Sequence, residues 1–273
     1  MEFTPKELEG NVNVSKSHPL KEFFSLLIGL FGIVLVVYIV LGLAVNLVVH
    51  KIPADVENKL GELFSNKFPQ SAYAKQMFEE GEKYLQVMVD ELSELAGMSD
   101  RSFNVKVLGN SQANAFAVVG GRIILYSTLL EEMESENELA FVLAHELGHY
   151  KNRDHLRGLG RGLVLVAISA FTMGSNSDIS NLILRSLEGV EMKFSQKQET
   201  EADLFALDLL NQYYGHVSGS TGFFERNLNR PEYIGKSYFF ATHPNPEKRI
   251  ERIRHAAEEL GYIYLEEKPL EEM

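Results

Sequence analysis

The sequence predicts an α+β protein that is mainly helical, with a small antiparallel sheet and one N-terminal transmembrane helix. Three features support this: an uncharged apolar run near the N-terminus, a short central stretch of alternating apolar and polar residues, and helical spacing of apolar residues elsewhere. The expected division is a polar tail over residues 1–22, a transmembrane anchor over 23–49 and one domain over 50–273.

The composition narrows the class of protein. The chain has 273 residues, of which 45% are hydrophobic and 23% charged, as in ordinary folded domains. A formal net charge of -12, without any basic run, argues against nucleic acid as a partner, because phosphate binding needs a basic surface. The chain has no cysteine, so any bound metal must be held by His, Asp or Glu.

The N-terminal apolar run extends from Phe23 to Val49 and contains no charged residue over 27 positions. It is long enough to cross a hydrocarbon core of about 30 Å. A signal peptide would have a shorter apolar core and a small-residue cleavage site, neither of which is present; a buried core helix is the other alternative. Lys16 and Lys21 lie close to one end and only Lys51 close to the other, which favours a cytoplasmic N-terminus with the domain outside.

After the anchor, the pattern predicts two helices and then three short strands. A tight turn at Gly120-Gly121 is expected to join the last two strands as a hairpin. The helices are expected over residues 53–68 and 71–95, and the strands over 103–107, 114–119 and 122–126.

The second half of the chain is expected to be helical. Ser135 followed by Glu138 is typical of a capping box and predicts the start of a helix. Gly162 to Gly174 is a second uncharged run of 13 residues, too short to span a bilayer. It predicts a core helix or a membrane-surface hairpin, with a second crossing as the alternative. Further helices are expected over 179–194, 196–213 and 247–260, with a loop over 215–222.

The helix predicted to start after Ser135 contains three residues suited to metal binding and catalysis: His145, Glu146 and His149. Residues four apart share one helix face, so both imidazoles can bind one metal ion, and imidazole suits zinc. Glu146 can reach a metal-bound water without being a ligand, which is the arrangement of zinc hydrolases. Gly148 between them either admits the close approach of another backbone or is simply tolerated.

A catalytic zinc ion needs a third protein ligand, and the best segment for it is Glu199 to Asp203. Glu199 could bind the metal while Asp203 holds a ligand histidine from behind. Spacing alone does not choose between Glu199 and Glu201, and a solvated acidic helix face is the alternative. Asp154 and His155 are expected to end the preceding helix and pair with polar groups rather than form a further metal site.

Taken together, these motifs resemble the membrane-associated gluzincin metallopeptidases, the HtpX-like and CAAX-prenyl-protease-like family, and within it the single-anchor branch. The resemblance covers about residues 70–255. Two further motifs in this range match, the strand of Asn114 to Ala117 with its glycine pair and His243-Pro244 followed by Arg249-Ile250, and the upstream anchor also fits.

The resemblance implies a zincin-like catalytic domain whose small sheet packs on the active-site helix. It implies one zinc ion per chain held by His145, His149 and Glu199, with Glu146 as general base. It also implies that Asp203 supports a ligand, that Asn114 and Ala115 pair with an extended substrate, and that His243 steadies the oxyanion. For His243 the alternative is a loop histidine before a turn-forming proline, and Arg249 is expected in a structural ion pair.

The function expected is that of a membrane-anchored zinc endopeptidase in membrane or envelope protein quality control. Its partners would be protein or peptide substrates and the lipid bilayer, through residues 23–49. The rival hypothesis is a non-catalytic membrane scaffold that binds unfolded chains and uses zinc structurally. A zinc hydrolase with a non-peptide substrate is a third interpretation.

Overall fold

The structure is a computed structural model and describes residues 18–64, 70, 76–174, 178, 194–228, 239 and 242–270. The helix expected over 179–194 therefore lies outside the described residues except for its last position. The same holds for residues 65–68 and 71–75 of the two helices expected after the anchor.

The first described element is a long apolar helix, α1, over Pro19–Val48, followed by a 3-10 turn over Val49–Lys51. Proline suits the first helical position because its missing N–H has no acceptor there. No residue of α1 is buried. Among the described residues it is the one helix long and apolar enough to cross a membrane. The short helix α2, Ala54–Phe64, follows it.

Helix α3, Glu79–Leu95, leads into three strands: β1 over Asn104–Leu108, β2 over Ala115–Val118 and β3 over Arg122–Tyr126. The strand order is β1-β3-β2, so β2 lies at an edge. The predicted hairpin joins β2 to β3, and Gly120 and Gly121 take the positive φ values of 84° and 71° that its turn requires.

The mainly helical α+β class is confirmed, but the sheet is mixed rather than wholly antiparallel. β1 pairs with β3 in parallel, with Asn104 opposite Arg122 and Leu108 opposite Tyr126. The reason is the order of the strands. β2 runs opposite to the other two strands, and because β3 lies between β1 and β2, β1 pairs with the strand that runs in its own direction.

Six helices described by the structure complete the fold. Ser135 caps the helix over Glu136–Lys151 as predicted, since its hydroxyl accepts the Glu138 N–H. The carboxylate of Glu138 bonds the Glu134 N–H instead of the cap residue, so only half of the expected capping box forms. The helices are α4 over Ser127–Glu132, α5 over Glu136–Lys151, α6 over Asp154–Met173, α7 over Gln196–Tyr214, α8 over Gly222–Leu228 and α9 over Pro246–Leu260.

Helix α5 lies at the centre of the domain and is buried from Glu136 to Tyr150. The sheet packs on one side of it, and α7 crosses it at Gly148. A Cβ atom at Gly148 would lie 3.1 Å from Ala202 Cα, so the glycine is there to admit another backbone. The close approach of α5 and α7 brings their polar side chains into contact inside the protein.

Candidate metal centre

Four buried side chains from α5, α7 and the segment before α9 meet at one point. The Nε2 atoms of His145 and His149, one helical turn apart, are 3.0 Å from each other. Glu199 Oε1 lies 3.4 Å from His149 Nε2, and Glu199 Oε2 lies 3.7 Å from His145 Nε2. His243 Nδ1 lies 3.2 Å from His145 Nε2 and 3.1 Å from Glu199 Oε1.

This arrangement fits a divalent metal ion. In a tetrahedral site with metal–ligand distances of about 2.0–2.1 Å, neighbouring donor atoms lie roughly 3.3–3.4 Å apart. The donor atoms here are 3.0–3.7 Å apart. A cation between these buried nitrogen and oxygen atoms would satisfy all of their lone pairs at once.

The structure distinguishes Glu199 from Glu201, between which spacing alone did not choose. Glu199 is fully buried among the donors. The Glu201 side chain is 45% exposed and pairs with Lys197 on the outer face of α7. Helical geometry explains the difference, because residues two apart point in nearly opposite directions.

Each α5 histidine is held from behind by a carboxylate. His145 Nδ1 lies 3.0 Å from Asp203 Oδ1, as the motif predicts. His149 Nδ1 lies 2.9 Å from Asp154 Oδ2, a contact that the sequence interpretation missed. The chain reverses between α5 and α6 through Arg153, whose φ is 62°, and this turn returns Asp154 to the histidine. The sequence signal that could have predicted this contact was an aspartate just after the end of α5, the helix that carries both histidines.

Arg249 is completely buried and bridges the two buried carboxylates of α7, Glu199 and Asp203. Its guanidinium lies 3.0 Å from Glu199 Oε2 and 2.6 Å from Asp203 Oδ1. The ring of Phe224 stacks beneath it, 4.5 Å from Cζ. The ion pair expected for Arg249 is therefore part of the site, where its charge keeps both carboxylates ionised.

Burial and neighbouring charges set the protonation of the donors. Burial, followed by the charge of Arg249, lowers the pKa of His145 to about 3, so this imidazole is neutral. Burial alone would raise the pKa of Glu199, but the charges of His243 and Arg249 hold it well below its usual range. Burial likewise acts against a charge on His149, yet hydrogen bonds to Asp154 and Glu199 raise its pKa to about 9. The surrounding carboxylates thus favour positive charge at this point.

Glu146 is buried beside the donors without being one of them. Its Oε2 accepts the backbone N–H of Ala117 in β2 at 3.0 Å. Its Oε1 has no hydrogen-bond partner among the described residues and lies 3.6 Å from His243 Nε2, which has none either. Burial raises the pKa of the Glu146 carboxyl, which suits a group that must take up and release a proton.

The structure places Asn114 and Ala115 at the edge strand next to the site, and both are fully buried. The Asn114 side chain accepts the Ala115 N–H at 3.0 Å. Beside them, the Ala113 carbonyl accepts the N–H of Phe239 at 3.0 Å. The segment that carries His243 therefore covers this part of the edge.

His155 belongs to a separate buried cluster. Its Nε2 lies 2.7 Å from Glu57 Oε1, and the ring of Tyr150 stacks on it at 4.4 Å. Arg153 also binds the Glu57 carboxylate. The expected pairing of Asp154 and His155 with polar groups agrees with these contacts, although Asp154 begins a new helix rather than ending the old one.

Comparison with known proteins assigns the family. Residues 79–257, which include all four donors, match the model of peptidase family M48. The chain belongs to peptidase family M48. The match covers both metal-ligand segments and the edge strand, so the family agrees with the geometry.

Curated relatives are also metallopeptidases or proteases by name. The chain is 29% identical over 204 residues to the mitochondrial metalloendopeptidase OMA1 of Schizosaccharomyces pombe, covering 70% of this chain and 60% of that protein. It is 26% identical over 192 residues to the beta-barrel assembly-enhancing protease of Yersinia pestis, covering 65% and 39%. It is 34% identical over 159 residues to metalloprotease LoiP of Escherichia coli, covering 55% and 61%. The chain thus spans less than two thirds of each of these relatives.

Proposed function

We propose that this chain is a membrane-anchored zinc-dependent endopeptidase that hydrolyses peptide bonds of protein substrates. The observation that carries the proposal is the buried donor set of His145, His149 and Glu199 beside a glutamate that is not part of it. Glu146 has one carboxylate oxygen fixed by the Ala117 N–H and the other without a partner among the described residues. Membership of peptidase family M48 supports it.

Zinc is the ion that this donor set suits best. Two imidazoles and one carboxylate in tetrahedral spacing are typical of catalytic zinc, and softer thiolate ligands are excluded because the chain has no cysteine. We assign His145, His149 and Glu199 as the ligands, with one ion per chain. When bound, zinc supplies the Lewis acid that polarises the scissile carbonyl and the attacking water.

Glu146 performs the proton transfers. The Ala117 N–H holds its carboxylate in one orientation, so Oε1 faces the donor cluster. A pKa raised by burial lets this carboxylate accept a proton from the attacking water and pass it to the leaving amine. Asp203 and Asp154 keep the ligand imidazoles in the orientation in which Nε2 faces the ion.

Peptide substrates are proposed because β2 is an edge strand next to Glu146. An extended peptide can add to such an edge through backbone hydrogen bonds, with Asn114 and Ala115 as the pairing positions. To do so it must take the place of Phe239, whose N–H bonds the Ala113 carbonyl.

One observation favours the rival function of a scaffold with structural zinc. His243 Nδ1 lies among the donor atoms, where it can fill the fourth position that a catalytic site leaves for water. The peptidase proposal requires His243 to move aside, after which its imidazole can steady the oxyanion, the role predicted for it. The fully buried Oε1 of Glu146 has no hydrogen-bond partner in the described part of the chain. It supports the peptidase, since a structural site has no use for such an atom.

The decisive experiment compares Glu146→Gln and His243→Ala with the unaltered chain. Zinc content and cleavage of an unfolded test protein are measured for each, with and without a chelator. We expect Glu146→Gln to retain zinc and lose cleavage. We expect His243→Ala to retain zinc but to cleave roughly 100-fold more slowly, because the oxyanion loses a donor. Cleavage by Glu146→Gln at the unaltered rate would refute the mechanism. Loss of zinc from His243→Ala would support the structural-zinc scaffold.

We further propose that residues 23–49 anchor the catalytic domain, residues 50–273, on the extracytoplasmic side, in membrane or envelope protein quality control. The positions of Lys16 and Lys21 support this orientation, whereas Lys51, Arg157 and Arg161 on the domain side count against it. The name of the beta-barrel assembly-enhancing protease also supports it, since such barrels are built in outer membranes. A single cysteine at exposed Val87, in this cysteine-free chain, should react with an impermeant maleimide on intact cells. Reaction only after permeabilisation would reverse the orientation.

A further inference from the structure

The C-terminal half of α6 is an apolar helix that the described part of the protein leaves uncovered. No charged residue occurs from Gly162 to Gly174. Leu163 and Leu165 are exposed, and Phe171 is 93% exposed. A water-soluble surface seldom presents a continuous apolar helix face of this kind, so another apolar medium must cover it.

This half of α6 lies against the membrane helix α1. Close to the domain, Gly160 admits Val45 of α1, because a Cβ atom there would lie 2.5 Å from Val45 Cγ1. Farther from the domain, the two helices line an apolar groove. Its residues are Leu30, Ile33, Val34, Val37 and Leu41 of α1, and Ala167, Ile168, Phe171 and Thr172 of α6. The helices are therefore antiparallel, and the end of α6 reaches the level of the middle of α1.

The distance that α6 extends along α1 follows from helix geometry. From Gly160 to Met173 a rise of 1.5 Å per residue gives about 20 Å, against a hydrocarbon core of roughly 30 Å. α6 thus occupies the same layer as α1 over most of its thickness, yet it is too short to cross. The hydroxyl groups in this half are satisfied within the helix, as hydrocarbon requires. Ser169 Oγ donates to the Val166 carbonyl at 2.9 Å, and Thr172 Oγ1 donates to the Ile168 carbonyl at 2.9 Å.

Polar groups mark where both helices leave this layer. Arg157 and Arg161 stand at the start of the apolar part of α6, and His50 and Lys51 at the end of α1. Arg157 reaches His50 across the two helices at 2.9 Å. Cationic side chains at one level on neighbouring helices suit the phosphate headgroups of a bilayer surface.

We propose that residues 162–173 of α6 are embedded in the bilayer beside α1, with phospholipid acyl chains covering the exposed face. The proposal has a consequence that rests on the proposed peptidase function. α6 begins at Asp154, which holds His149, and Gly160 lies about 9 Å farther along the helix axis. The metal centre is thereby fixed close to the membrane surface. The substrate class is then protein segments that lie at the bilayer surface or leave it there.

The test places a fluorophore at one position of the full-length chain, which is possible because the chain has no cysteine. Phe171→Cys and Leu163→Cys are labelled and reconstituted into phosphatidylcholine vesicles. Leu35→Cys on α1 is the membrane reference, and Val87→Cys on α3, 58% exposed, is the aqueous reference. Quenching by nitroxide on the lipid acyl chains is compared with quenching by iodide in the water.

We expect acyl-chain nitroxide to quench the label at position 171 as strongly as the label at 35, and iodide to quench it several-fold less than the label at 87. Iodide quenching at 171 equal to that at 87 would overturn the proposal. Protection from both quenchers would also overturn it, because protein rather than lipid would then cover the face. If the Phe171 variant does not reconstitute, Leu165→Cys takes its place. The readout uses no peptide cleavage, so it can be made in Glu146→Gln and fails independently of the proposed function.

Discussion

Asp154→Asn tests whether the turn between α5 and α6 sets the affinity of the metal centre. The Asp154 side chain is fully buried and accepts three hydrogen bonds. Their donors are His149 Nδ1 at 2.9 Å, Arg157 at 2.7 Å and Gln198 Nε2 at 2.7 Å. The amide of asparagine has the same shape but only one accepting oxygen. Its NH₂ group must then face at least one donor.

The magnitude follows from the loss of the contact to His149. Removing the partner of a metal-binding histidine typically weakens metal affinity by about 10–100-fold, or roughly 1.4–2.8 kcal/mol. We expect a loss nearer 100-fold, because the substitution also removes a buried negative charge that contacts a ligand imidazole.

The zinc Kd is measured by competition with a chromophoric chelator, and thermal unfolding is followed by circular dichroism. Asp208→Asn is the matched control, since this exposed aspartate on α7 bonds Gln212 and lies away from the donors. Asp154→Asn should weaken zinc binding while Asp208→Asn does not. A lower melting temperature with an unchanged zinc Kd would refute the reasoning, because Asp154 would then stabilise only the fold.

Three further predictions concern packing, the buried arginine and pH. Gly148→Ala should lower the free energy of unfolding by about 1–2 kcal/mol in urea titrations, because crowding against the backbone of Ala202 outweighs the better helix propensity of alanine; a stability at or above that of the unaltered chain would contradict this. Arg249→Met should cost about 3–5 kcal/mol in the same assay, since the two buried carboxylates then lose the charge that bridges them; an unchanged urea midpoint would contradict this. Burial lowers the pKa of His155, so the unfolded chain binds this proton more readily and stability should be lost as the pH falls below about 6.5. The melting temperature should therefore drop between pH 7.5 and 5.5, and His155→Gln should reduce the drop; an equal drop in this variant would exclude His155 as its source.

The secondary structure was largely predictable where its signals are local. Strand β3 has the predicted bounds, because its short apolar run and the preceding glycine pair are properties of one short stretch. Helix α5 begins after the predicted cap, Ser135. The parallel pairing of β1 with β3 was not predictable in this way, since it depends on which strand enters between two others.

The residues of the candidate site differ in the same way in how far the sequence predicts them. His145, Glu146 and His149 follow from spacing on a single helix. The acidic segment from Glu199 to Asp203 also follows from spacing, and the resemblance to a family favoured Glu199 over Glu201 as the ligand. The contact of Asp154 with His149 and the position of His243 Nδ1 among the donors arise only when separate elements pack together.

The sequence by itself determined the chemistry available to this protein: a metal-binding helix, a second acidic helix, an edge strand and an apolar anchor. These depend on residue type and on periods of two or 3.6 residues, which a single segment carries. Only the tertiary structure decided which carboxylates hold the histidines, and that α6 lies along α1. Both depend on contacts between residues far apart in the chain, and such contacts are set by the packing of the whole domain.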